Sequence, residues 1–278
     1  MKLNGKTAVV TGGATGIGLA ICRRLAAEGC VLTLWDVDAP GLTRARRELA
    51  AEGAEVYTAR CDVTKAPQVA ACARRALRDM GRVDILVNNA GILVAGTFLE
   101  QSVEKWETMI RVNFVALLHT IRAFLPGMNE RGTGHVVNVS SAAGTLGVPG
   151  IAVYSATKWA VWGLTESLRH ESWNAGKRGV RWSSIHPNYV RDGLFAGARL
   201  PGLSGLFFPR VKSHDHVAKA VVEYALKKGR FAPKRPRMVK TTLVLRGLFN
   251  DGLFFRAVRF FGVHRSMDAW VGKRKGSR

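Results

Sequence analysis

Tyr154 and Lys158 lie four residues apart in a stretch, 153–174, that predicts a helix, so both side chains share one face of it. A phenol has an ordinary pKa of about 10 and is a poor base at neutral pH. An ammonium beside it stabilises the phenolate and lowers that value. Such a tyrosine accepts an alcohol's proton as hydride leaves, or donates it in the reverse direction. The pair by itself is also what a solvated helix face presents. Its setting distinguishes it here: it follows a predicted strand at 134–140 ending in Ser140-Ser141.

The first predicted strand, 6–11, ends in Thr11-Gly12-Gly13-Ala14-Thr15-Gly16-Ile17-Gly18 and opens a helix at 16–28. Glycines at 12, 16 and 18 permit a tight turn and a close approach of backbone to ligand. The helix N-terminus offers free N–H groups and a positive dipole end to a pyrophosphate. Gly12, Thr15, Gly16, Ile17 and Gly18 are therefore expected at a cofactor. Asp36 ends the second predicted strand, eighteen residues after Gly18. An acid at that place binds the adenosine ribose hydroxyls, and its charge would repel a 2′-phosphate, so NAD is expected over NADP.

These residues need a scaffold, and the chain supplies an alternating one. Short apolar runs at 6–11, 31–35, 55–60, 83–88, 134–140 and 180–186 alternate with helical patterns at 16–28, 41–52, 67–80, 103–129 and 153–174. Strands joined through helices imply right-handed crossovers and a parallel sheet. Continuously apolar strands imply helices on both faces. The fold class expected is α/β, a single Rossmann-type doubly wound parallel sheet with a basic, apolar C-terminal extension. After Pro187 the alternation stops, and one further helix is expected at 215–228.

With Asn88-Asn89-Ala90-Gly91, Asn113, Ser141 and Tyr154-Ser155-Ala156-Thr157-Lys158 added to the glycine-rich turn, residues 4–228 resemble the short-chain dehydrogenase/reductase superfamily. The resemblance implies that Asp62 and Val63 flank the adenine and that Asn89, Ala90 and Gly91 line the cofactor cleft. It implies that Asn113 holds a water in a proton relay and that Lys158 also binds the nicotinamide ribose. Ser141 stands thirteen residues before Tyr154, the family's spacing for the serine that polarises the substrate oxygen. Asn88 reads as strand-end hydrogen bonding, and His170 and His186 as structural. Nothing in this chemistry needs a metal. The family commonly has Pro-Gly-x-Val-x-Thr after the sixth strand, and this chain has Pro187-Asn188-Tyr189-Val190-Arg191-Asp192. Pro187 and Val190 keep their expected cofactor contacts. Asn188 tolerates a left-handed backbone in place of glycine, whereas Asp192 puts a charge where the family's threonine holds the nicotinamide carboxamide.

The charge is unevenly spread. The 278 residues carry 42 Lys+Arg against 20 Asp+Glu, a net +22; residues 1–190 account for +7 and residues 191–278 for +15. An apolar segment, 191–213, is expected to cover the substrate, which implies an apolar alcohol or ketone. Residues 229–278 form the extension, and no family-type final strand is recognisable there. Lys227–Lys240 holds seven basic residues and no acid, and an apolar run, 243–263, interrupted by arginines follows. Basic and aromatic residues so placed suit peripheral contact with an anionic membrane, or packing on another subunit. The later part, including Phe261-Gly262-Val263-His264, is similar to retinol and hydroxysteroid dehydrogenases associated with membranes and lipid droplets, and to their bacterial relatives.

The apolar fraction, 47%, argues against a disordered chain, and no uncharged apolar run of transmembrane length stands out. A strand beginning at residue 6 leaves no room for a signal peptide. Four scattered cysteines suggest neither disulfides nor zinc and suit the cytoplasm. No nucleic-acid motif accompanies the charge, so no nucleic acid is expected. The expected function is NAD-linked hydride transfer with a steroid, retinoid or lipid-like alcohol, in a catalytic domain at 1–228, as a homodimer or homotetramer. Two alternatives are a 3-oxoacyl reductase acting on acyl carrier protein and a cofactor-binding regulatory protein without catalysis. Asp36 stands against the first and the intact Ser141, Tyr154 and Lys158 against the second.

Overall fold

The structure, a computed structural model, describes residues 1–190, 211–235, 239–262 and 267. Seven parallel strands form the sheet in the order β3-β2-β1-β4-β5-β6-β7. They are β1 (Thr7–Thr11), β2 (Val31–Asp36), β3 (Val56–Arg60), β4 (Ile85–Asn88), β5 (Gly134–Val139), β6 (Val180–Pro187) and β7 (Lys234–Arg235). β1, β4 and β5 are buried along their whole length, as continuous apolar strands between two helical layers should be. The strand order reverses between β1 and β4. Ligands of open α/β sheets bind outside the carboxyl ends of the strands at that switch point.

The helices are α1 (Gly16–Ala27), α2 (Ala39–Ala51), α3 (Ala66–Met80), α4 (Val103–Ile110), α5 (Ala116–Arg131), α6 (Ala152–Asn174), α7 (His214–Lys219), α8 (Val239–Leu248) and α9 (Asp251–Phe260). One face of the sheet packs on a core including Ile21, Leu25, Val217 and Val221, and the other on a core including Phe124, Met128 and Val161. The long helix expected over 103–129 is not continuous α-helix: a π turn, Arg111–Val115, joins α4 to α5. A second wide turn, Ala220–Lys227, prolongs α7. By length and composition Val103–Arg131 could cross a membrane. In the fold it lies on the sheet, with Asn113, Thr120 and Phe124 buried.

The sheet does not stop at β6. Lys234 and Arg235 pair in parallel with His186 and Pro187, and the Phe231 carbonyl accepts from the Ser184 N–H at 2.8 Å. A final strand thus exists where none was recognisable, because two residues among basic neighbours carry no strand periodicity. Beyond it α8 and α9 fold back over the carboxyl ends of the strands. The expected covering segment lies outside the described residues over 191–210, while its flanks meet in a bridge between Val190 and Val211. The tail beyond Gly262 lies outside them too, apart from Met267. All four cysteines are free thiols.

Candidate active site

α6 starts beside the end of β5 and places Tyr154 and Lys158 on its sheet-facing side, both almost fully buried. The Lys158 ammonium donates to the Val139 carbonyl at 3.0 Å, which draws it across to the end of β5. It lies 5.7 Å from the centre of the Tyr154 ring. Burial away from water pulls the Lys158 ammonium down to about 8. The same burial pushes the Tyr154 phenol above its usual range; a hydrogen bond with Ser141 opposes that push and the nearby Tyr189 phenol adds to it.

The two serines at the end of β5 divide their work. Ser140 donates its hydroxyl to the Lys158 carbonyl at 2.7 Å and so ties the strand end to α6. Ser141 caps a short turn, Ala142–Gly144, its oxygen accepting from the Ala143 N–H at 3.2 Å. His186, at the end of β6, stands behind it, with a ring nitrogen 3.3 Å from the Ser141 carbonyl and the ring against Trp162.

Asn113 sits in the π turn and is fully buried. Its amide clamps the chain after β4, accepting from the Ile92 N–H at 2.8 Å and donating to the Ile92 carbonyl at 2.9 Å. It also approaches the Thr157 hydroxyl at 3.3 Å. A Cβ on Gly91 would stand 3.3 Å from the Asn113 amide oxygen and 3.4 Å from the Lys158 nitrogen. Gly91, Asn113 and Lys158 therefore converge, with Ser141 and Tyr154 adjoining through their own hydrogen bond.

The cofactor residues gather at the switch point. Gly12 has a positive φ, +66°, and a Cβ there would press on Asn89 and Ala90; a Cβ on Gly18 would collide with the Gly12 carbonyl. The Asn89 amide donates to the Thr11 and Gly12 carbonyls at 3.0 and 3.2 Å, closing β4 onto the turn. The Thr11 hydroxyl oxygen accepts from the N–H groups of Asn89 and Ala90. Thr15 begins α1 without a side-chain cap, and the first turn holds no acid. Its N–H groups are thus a fit for a pyrophosphate. Gly16 opens towards the His214 ring of α7, 3.8 Å from where a Cβ would stand, and Ile17 follows it, partly buried against the core.

Asp36 ends β2 half-buried, its two oxygens accepting from the N–H groups of Ala14 and Asp38, both at 3.1 Å. One carboxylate so anchors the glycine-rich turn. Asp62 accepts from the Thr64 N–H and hydroxyl at 3.0 and 2.6 Å, and the hydroxyl bond holds its carboxyl below the usual range. Val63 is buried in the core beside Trp35. Pro187 closes β6, and Val190 packs into the core beyond it. Asp192 lies outside the described residues.

A family model described as short chain dehydrogenase matches residues 6–199. The chain belongs to the short-chain dehydrogenase family. Epidermal retinol dehydrogenase 2 of Homo sapiens is 30% identical over 276 residues, covering 98% of this chain and 87% of that protein. A short-chain dehydrogenase/reductase from Burkholderia phymatum, solved in complex with NAD, superposes with a TM-score of 0.79 at 33% identity, covering 89% of this chain and 95% of that one. A metagenomic short-chain oxidoreductase solved with NADP gives 0.70 at 33% identity, over 84% and 97%. This short-chain dehydrogenase is accordingly a CH–OH oxidoreductase of the nicotinamide-dependent kind.

Several supports of the site had no signal of their own in the sequence. Thr157 donates to the Tyr154 carbonyl at 2.7 Å while standing against Asn113. Thr11 and Tyr189, like Thr157, lie inside motif stretches without a role of their own there, and His214 lies outside them. An apolar cluster of Leu93, Leu146, Val148, Ile151 and Phe254 surrounds Tyr154. The arrangement can hold a hydroxyl or carbonyl between Ser141 and Tyr154 and pass a proton at the phenol oxygen, away from water.

Proposed function

We propose that this short-chain dehydrogenase oxidises apolar alcohols, or reduces the matching ketones, with NAD. The observation that carries the reading is the Ser141–Tyr154 hydrogen bond with Lys158 buried beside it, inside an apolar cluster. Bound nicotinamide supplies the hydride acceptor. Tyr154 takes the alcohol proton, Lys158 stabilises the phenolate and holds the ribose, and Ser141 binds the reacting oxygen. Asn113 keeps a water within reach of Lys158. The uncapped α1 N-terminus takes the pyrophosphate, Asp36 the adenosine ribose, and Asp62 with Val63 the adenine side. The carboxylate of Asp36 supports NAD over NADP.

Residues 1–228 carry the catalytic machinery and 191–213 cover the substrate. The name of the human relative supports a retinoid, and the apolar cluster around Tyr154 suits a steroid or other lipid-like alcohol as well. The outward face of α8 and α9 supports peripheral contact with an anionic membrane: Leu248, Phe255 and Phe260 are exposed among Arg256 and Arg259. The exposed Ile110 and Leu118 on α4 and α5 support a homo-oligomer.

The test is a spectrophotometric assay of the purified protein on apolar primary and secondary alcohols, with NAD and NADP in parallel. Turnover with NAD is expected, and Tyr154→Phe should lower kcat by about 10²-fold or more while the NAD dissociation constant stays close to that of the parent. Unchanged kcat in Tyr154→Phe would refute the assigned proton transfer. Strong preference for NADPH would favour a 3-oxoacyl reductase and contradict the role given to Asp36.

A further inference from the structure

α8 and α9 form a hairpin whose two faces differ. Asn250 fixes the turn, its side-chain oxygen accepting from the Leu253 N–H at 2.9 Å at the start of α9. On the inward face Phe254 is only 9% exposed and belongs to the cluster that holds Tyr154, Leu93, Val148 and Ile151. Leu245, Phe249 and Val258 pack against the same cluster. The hairpin is thus part of the wall around the catalytic phenol.

A charged contact fastens it. The Arg246 guanidinium on α8 lies 5.2 Å from the Trp159 ring centre and 5.4 Å from that of Phe254. Trp159 directly follows Lys158 on α6. One cation therefore bridges the catalytic helix and the buried ring of α9. Planar guanidinium groups stack on aromatic faces in a way an ammonium only partly reproduces.

We infer that Phe254 is the specificity-determining residue on the wall of the substrate chamber, and that Arg246 is its positioning residue, clamping the ring against α6. The inference rests on the reading of an apolar alcohol as substrate. Tyr154 must meet the alcohol, yet it is 3% exposed, so the apolar side chains packed around it decide what fits. Of those carried by α8 and α9, Phe254 is the one buried in the cluster itself, while Leu245, Phe249 and Val258 are only partly buried against it. Removing its ring enlarges the chamber while leaving the side chains of Ser141, Tyr154 and Lys158 chemically unchanged.

The experiment compares the full chain with Phe254→Ala, Arg246→Ala and Arg246→Lys. Rates with NAD are measured for cyclododecanol and cyclohexanol, together with NAD affinity and melting temperature. In Phe254→Ala the ratio of kcat/KM, bulky over small, should rise by about tenfold, the scale of a change in apolar pocket volume, with NAD affinity unaltered. Arg246→Ala should shift the ratio the same way, and Arg246→Lys should shift it less. An unaltered ratio in a folded Phe254→Ala protein would overturn the inference. Amide hydrogen exchange gives a readout independent of turnover: both alanine variants should exchange faster over 92–96 and 151–158, and unchanged exchange there would also overturn it. Absence of turnover with every alcohol would count against the alcohol reading alone, leaving the wall to be decided by exchange.

Discussion

Lys158 is held charged at a cost the chemistry requires. Burial lowers its pKa from 10.5 to about 8. Below pH 8 both folded and unfolded chains hold the proton, and the folded one bears the full penalty of a buried ammonium. Between pH 8 and 10.5 the unfolded chain still binds a proton that the folded one has released, so stability gained from this residue rises with pH. A shift of that size corresponds to about 3 kcal/mol. Lys158→Met keeps an unbranched side chain, one atom shorter, and removes the charge. The stability difference between variant and parent, from urea unfolding without cofactor, should therefore move in the parent's favour by up to about 3 kcal/mol from pH 7 to pH 10.5. A difference that stays flat across that range would show that Lys158 is not depressed. The phenol beside it shifts the opposite way, so neither group gains its working state from burial. Tyr154 needs the ammonium, and the ammonium is held by the Val139 carbonyl.

Elements hold these residues by a polar chain that crosses the sheet. The Thr120 hydroxyl on α5 donates to Asn88 on β4 at 2.6 Å, Asn88 donates to Asn138 on β5 at 2.8 Å, and Asn138 donates to Thr165 on α6 at 3.0 Å. Asn88 and Asn138 are register partners, so one side-chain bond spans two strands and fixes α6 relative to α5. Asn138→Leu would leave the buried Asn88 amide without its acceptor, at about 1–3 kcal/mol. For a chain of this size the melting temperature should fall by about 2–4 °C per kcal/mol. Asn88→Ala with Asn138→Ala should cost clearly less than the sum of the single changes, since the two share a bond; simple additivity would deny the coupling. The strand-end reading of Asn88 was available in the sequence because the strand itself was. Asn138 gave no sign, since its partners come from β4 and α6, distant in the chain. The π turn at Asn113 was hidden for a related reason: its neighbours have ordinary helical spacing, and only the clamp on Ile92 shows why the helix widens there.

At the scale of the whole molecule, the sequence separated a motif-rich sheet from a basic end, and the sheet was readable as far as β6 because its central strands β1, β4 and β5 are buried along their whole length. The packing of the end was not, because an amphipathic hairpin looks alike whether its apolar stripe meets a protein core or a bilayer. In the fold it has apolar groups on both sides: Phe254 is turned to the site, while Leu248, Phe255 and Phe260 are 73%, 62% and 75% exposed. Inserted rings and nearby arginines act on a lipid surface by different forces. Charge attraction falls off over a Debye length of about 10 Å at 0.1 M salt, whereas apolar insertion is little affected by salt. The full chain should therefore sediment with vesicles of phosphatidylcholine and phosphatidylserine, and much less with phosphatidylcholine alone. Added salt should weaken the binding in part. Replacing Leu248, Phe255 and Phe260 together by Asp should abolish it while leaving the oxidation of a water-soluble alcohol intact, because these side chains face away from Tyr154. Equal sedimentation of the parent with both vesicle types would remove the arginines from the interaction, and undiminished binding by the triple variant would remove the hairpin. A triple variant that instead changes from a larger to a smaller oligomer would assign the same exposed rings to a subunit interface.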